Sequence, residues 1–146
     1  MSSAPIPTTL TLLSHLPSHE IGSKVRFLGC IDAYDSRRGV LELLHSYPST
    51  AKTTVMAEID VNIILETVKR EDLELGAWVN VMGYVTEHRA DRSVTKALKG
   101  TENVPSEKVI VAIQAIMLWN AGSINLANYE KAVSQRLQSM GKEERA

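Results

Sequence analysis

The chain has 146 residues, enough for one domain with a substantial hydrophobic core. With 23% charged residues and a net charge of -1, it has no global basic field for capturing nucleic acid, so any polyanion site has to be a local patch. The single cysteine, Cys30, excludes an intramolecular disulfide and a Cys-rich zinc site and fits a reducing compartment.

Residues 1–20 read as an N-terminal extension. Met1 to Pro7 is a flexible lead without the basic start of a signal peptide. Leu10, Leu12, Leu13 and Leu16 are expected to lie extended across the domain. No apolar run is long enough to cross a membrane. An eleven-residue pattern then begins at Ile21 (IGSKVRFLGCI) and returns at Leu75 (LGAWVNVMGYV). In each copy the first glycine suits a turn into a strand. The alternation that follows has the period of a half-buried strand, and the second glycine allows that strand to bulge or coil sharply. Two long strands bent in this way are what a small closed barrel requires.

Strand one is predicted from Lys24 to Tyr34, with Val25, Phe27, Ile31 and Ala33 inward and Arg26, Leu28 and Cys30 outward. Residues 35–39 form a hairpin loop ending in glycine. Strand two covers Val40 to His45. Strand three covers Thr54 to Asp60, with Val55, Ala57 and Ile59 on one face and Met56 and Glu58 on the other. Asp60 and Asn62 are candidate caps of a short helix through Val68. Strand four runs from Trp78 to His88. Arg89 to Glu107 reads as a long polar loop, and strand five as Lys108 to Leu118, with Val109, Val111, Ile113, Ala115 and Met117 in one parity. Leu126 to Met140 reads as a helix. The order of three strands, a short helix, two strands and a terminal helix is that of a five-stranded OB barrel. An SH3-like or split barrel fits less well, because of where the short helix falls. The domain boundaries are then 21–122 for the barrel, 123–140 for a partner-binding helix and 141–146 for a charged tail.

No catalytic constellation emerges. The four histidines lie in separate segments without metal-ligand spacing, Cys30 is inside a strand, and the glycines form no phosphate loop. An enzyme, a metal site and a cofactor are therefore not expected. Candidate nucleic-acid contacts are Arg37 and Arg38 in the first hairpin and Arg89, Arg92, Lys96 and Lys99 in the long loop. OB folds hold single strands with a basic groove and aromatic platforms. Here aromatics are only 5% of the chain, so contacts from this domain alone should be weak. The terminal helix gives a stronger signal. Leu126, Tyr129, Val133, Leu137 and Met140 fall on one apolar stripe, with Arg136 beside it, able to cover the barrel or meet a partner.

Three stretches carry a resemblance: Val25 to Asp35, the Leu75–Gly83 block, and Gly122 to Leu126 followed by Glu130-Lys-Ala-Val. Together they resemble the smallest, TEN-type subunit of the CST complex at telomeres, over about Ile21 to Gln138. The resemblance implies an OB fold and a heterodimer with an STN-type OB-fold subunit, alongside a larger CST subunit. It also implies a nuclear role in capping and replicating chromosome ends, with telomeric single-stranded DNA bound weakly or through the complex. It maps the partner surface onto the terminal helix and adds Arg26 as a contact. The loop 89–107 is longer than the family pattern. The alternative is a stand-alone single-strand-binding OB module, or a scaffold like the small subunit of replication protein A.

Overall fold

The two copies of the repeat become two strands that pair with each other. In the computed structural model they are β2 (Lys24–Asp35) and β5 (Trp78–Asp91), antiparallel from Lys24↔Tyr84 to Cys30↔Trp78. Residues 7–45, 47, 54–91, 108–122 and 124–144 are described, with Arg70, Asp91 and 139–144 described for the backbone alone. The valine of each copy faces the internal glycine of the other, as Val25↔Gly83 and Gly29↔Val79. The copies also share their entry bonds. The Gly22 amide donates to Val85 O (2.7 Å) and the Gly76 amide donates to Ile31 O (2.8 Å). Both entry glycines take positive φ, 95° and 85°. The repeat therefore builds a local pseudo-two-fold centred on the Phe27–Val81 pair.

The remaining strands are β1 (Thr9–Leu10), β3 (Val40–Leu44), β4 (Thr54–Asp60) and β6 (Lys108–Asn120). The order is β1-β2-β3-β4-β6-β5, and the β2–β5 pairing closes a five-stranded barrel. Strands β4 and β6 run parallel, and the two-residue β1 adds to β2 in parallel. Phe27, Ile31, Leu41, Leu43, Ile59, Val81, Val111 and Ile113 fill the interior. The leading segment is part of this domain rather than an appendage. After β1 it forms a 3-10 turn, Leu13–Ser18, that places Leu13 and Leu16 in the core.

The short helix expected after β4 appears as two 3-10 turns, Asn62–Ile64 and Arg70–Leu73. Val61 and Ile64 are buried in the core there. Of the two expected caps, Asp60 accepts the Asn62 amide (3.0 Å), whereas the Asn62 side chain donates to Arg38 O (2.8 Å) and ties the plug to the hairpin.

Three register shifts reverse the side-chain alternation. The first falls between Ile31 and Ala33, leaving Asp32 as the extra residue. Beyond it, Ala33 pairs with Glu42 on the outer face and Tyr34 packs against the core, so the inward assignment of Ala33 is corrected. The second falls between Met82 and Gly83 and leaves Ile116 of β6 extra. Met117 is thereby turned outward, 53% exposed, and Leu118 packs on the core instead. The third falls between Val85 and Glu87 and leaves Thr86 extra, with its hydroxyl donating to Ala112 O at 3.1 Å.

Candidate functional site

Helix α1 (Leu126–Glu144) begins where Gly122 turns the chain at φ 65° and the Asn125 side chain accepts the Asn128 amide at 3.1 Å. It continues four residues past the expected boundary at Met140. Its apolar stripe is turned towards the chain's own barrel. Val133 is 3% exposed, and Leu126, Tyr129 and Leu137 are half-buried. Leu28 and Met56 point outward by parity and are still buried, as the surface beneath a docked helix must be. The opposite side of α1, with Lys131 and Gln135, stays in solvent, and so does Arg136, which flanks the stripe. The side chain of Met140 lies outside the described residues.

Polar contacts fix the docking. His45 Nε2 lies 2.7 Å from Glu130 Oε2, with the His45 side chain 3% exposed. An ionised carboxylate can only accept, so Nε2 donates, and Nδ1 is left buried without a protein partner among the described residues. The Tyr47 hydroxyl meets Ser134 Oγ at 3.2 Å. The His45 ring stacks on Tyr47 and meets the edge of Trp78 at 5.3 Å. Tyr47 thus helps to hold the helix on the barrel. Burial pushes the Tyr129 phenol up, against the opposing pull of Arg26 and the Leu28 backbone. Burial, and then the Asp32 carboxylate, push the Cys30 thiol up, which suits packing better than nucleophilic attack. A cavity of about 290 Å³ between Cys30, Trp78, His45, Leu126 and Glu130 opens at the start of α1. A second, of about 310 Å³, lies further along against Leu12, Tyr47 and Leu137.

Arg26 is exposed on this same outer surface, its guanidinium 5.1 Å from the centre of the Trp119 ring. The structure brings together two of the six candidate nucleic-acid residues. Arg38 Nη2 reaches Glu58 Oε1 at 3.3 Å, and Arg89 Nη2 reaches Glu58 Oε2 at 2.5 Å. Arg89 belongs to β5 and not to the long loop; the Thr86 bulge turns it to the outer face. Arg37 stays at the hairpin tip, its amide donating to Asp35 Oδ1. Arg92, Lys96 and Lys99 lie outside the described residues.

Sequence reasoning missed His45, Glu130, Ser134 and Glu58. His45 and Glu130 are 85 residues apart. The only local hint was that Glu130 lies one residue from Tyr129 and three from Val133, which puts it beside the docked stripe.

These features define a class: a closed OB barrel whose terminal helix lies on its outer face, with Lys131, Gln135 and Arg136 left exposed. A chain in the crystal structure of the S. pombe Stn1-Ten1 complex superposes with a TM-score of 0.64 at 21% identity, covering 92% of this chain and 96% of that one. The crystal structure of telomere capping protein Ten1 from the same yeast gives 0.62 at 21%, covering 90% and 99%. Replication protein A of U. maydis, in a structure with single-stranded DNA, gives 0.53 at 17%, covering 90% of each chain. Comparison with curated proteins by sequence finds no match. The family model for Ten1, described as telomere capping, CST complex subunit, matches residues 1–134, so the chain belongs to the Ten1 family.

Proposed function

We propose that this protein is a non-catalytic CST subunit that pairs with an STN-type OB-fold subunit in the nucleus. The pair joins a larger CST subunit on telomeric single-stranded DNA. The observation that carries the pairing is α1, held to its own barrel on one side while Lys131 and Gln135 on the other side, and Arg136 at the flank of the stripe, stay exposed. Arg136 supplies a guanidinium fork for a partner carboxylate, and the half-buried Leu126, Tyr129 and Leu137 form the edges of the contact. In the sequence, Met140 continues the spacing of that stripe. Val133 acts indirectly, by anchoring the helix. Arg26, laid on Trp119, extends the surface onto the barrel. Family membership and the likeness to the Stn1-Ten1 complex support this pairing.

Arg136→Glu is expected to weaken the complex at least tenfold, about 1.4 kcal/mol, and to leave the melting temperature of the free domain unchanged. Calorimetric titration with the partner and thermal melting of the free domain read the two effects. Unchanged affinity would remove α1's outer side from the interface.

DNA contacts from this chain are auxiliary, through Arg37, Arg38 and Arg89, with Arg92, Lys96 and Lys99 following in sequence. Titration of the free domain with an oligonucleotide should give micromolar or weaker binding, with a shallow salt slope of about -0.7 per phosphate neutralised. Nanomolar binding at physiological salt would instead favour a stand-alone single-strand-binding module.

A further inference from the structure

We infer that Glu58 holds Arg38 and Arg89 back from single-stranded nucleic acid, and so sets how weakly this domain binds it. The inference rests on the reading of those arginines as phosphate contacts. Glu58 lies on the outer side of β4, and its side chain is 15% exposed. Each of its carboxylate oxygens takes one guanidinium, from the β2–β3 hairpin and from β5. The arginines themselves remain 60% and 42% exposed, so they are open to solvent and to a ligand. Ala112 stands between Glu58 and Glu87 in the register, and its small side chain leaves room for Arg89 to cross β6.

The charge count on this face decides the sign. Glu42 sits directly opposite Glu58 in the β3–β4 ladder, and Glu87 lies 3.8 Å from Arg89. Among the described residues around Glu58, two guanidiniums therefore face three carboxylates. A phosphate approaching either arginine displaces Glu58 and meets the uncompensated charge of Glu42 and Glu58 together. Removing the charge of Glu58 releases Arg38 and leaves Arg89 only its longer contact with the exposed Glu87, so both arginines become more available to phosphate.

Glu58→Gln keeps the size of the side chain. Titration with a fluorescent oligothymidylate at low and physiological salt is expected to show about five- to tenfold tighter binding at low salt. Two added phosphate contacts should steepen the salt slope by roughly 1.4, at about 0.7 each. Arg38→Ala with Arg89→Ala in the Glu58→Gln background should erase the gain. Glu42→Gln serves as a charge control, since Glu42 holds no arginine among the described residues. A gain from Glu42→Gln equal to that from Glu58→Gln would overturn the inference, because net charge alone would then explain it. Unchanged affinity in Glu58→Gln would overturn it too. If the arginine variants of the parent still lose binding in that case, the reading of them as contacts survives. If they do not respond either, that reading falls as well. A melting curve of each variant confirms that the fold is intact.

Discussion

Val133→Glu is expected to lower the stability of the free domain by about 3 kcal/mol, since it drives an unpaired carboxylate into a site that is 3% exposed. For a chain of this length that corresponds to a fall of roughly 10 °C in melting temperature. The helix can escape the cost only by leaving the barrel. In that case the His45–Glu130 and Tyr47–Ser134 contacts go with it, and limited proteolysis should cut α1 early. Either route costs partner binding as well, so loss of the complex in this variant does not by itself place Val133 in the interface. Arg136→Glu separates the two roles, because Arg136 is exposed and the barrel does not depend on it. An unchanged melting curve for Val133→Glu would mean that α1 does not dock as described.

The second large effect is expected at Gly83. A Cβ there would press into the Gln114 carbonyl, 2.9 Å from its carbon, and also 2.9 Å from the Ile113 side chain. Backbone cannot yield as a flexible side chain can, so Gly83→Ala should cost about 3 kcal/mol. Its counterpart Gly29 is also tight, since the new Cβ would meet Leu43 Cβ at 2.9 Å and a Leu13 methyl at 3.0 Å, but no backbone carbonyl lies as close. Gly29→Ala is expected to cost less, roughly 1–2 kcal/mol. Gly76→Ala meets no atom and carries only the strain of its positive φ, about 1 kcal/mol. Urea melts of the three variants should rank Gly83, Gly29, Gly76 in falling order of damage. A Gly83→Ala protein as stable as the parent would contradict the close β5–β6 approach.

The repeat made the barrel legible. Its entry glycines, its alternation and the position of the plug segment gave the strand order, and the strands start where the alternation starts. What the sequence could not show is where the alternation breaks. Asp32, Thr86 and Ile116 are each an extra residue, and each reverses the faces of everything beyond it. That is why Ala33 and Met117 turned out to face solvent, and why Arg89 came to lie on a strand beside Glu58. Nothing local in Asp32, Thr86 or Ile116 marks a bulge, because the cause is closure of the barrel around them. The helix stripe was visible from its spacing, but the spacing did not say which partner it covers. His45 answers that, through a contact with Glu130 that spans most of the chain. The short helix contracted to 3-10 turns, and Asn62 does not cap it: its side-chain amide donates to Arg38 O and to Asp60 Oδ1.

The nucleic-acid side depends on charges that the sequence placed only loosely. Arg38 and Arg89 are 51 positions apart in the numbering and share one carboxylate. A linear reading counts them as free cations. In the fold they are partly neutralised, in keeping with the auxiliary DNA contacts proposed above.

The central claim is that this domain is one half of an OB-fold pair. The most direct measurement mixes the purified chain with an STN-type OB-fold subunit and determines the mass of the product by light scattering, with a calorimetric titration alongside. A single one-to-one complex is expected, one that survives gel filtration and is weakened at least tenfold by Arg136→Glu. Two separate masses and no heat of mixing would contradict it.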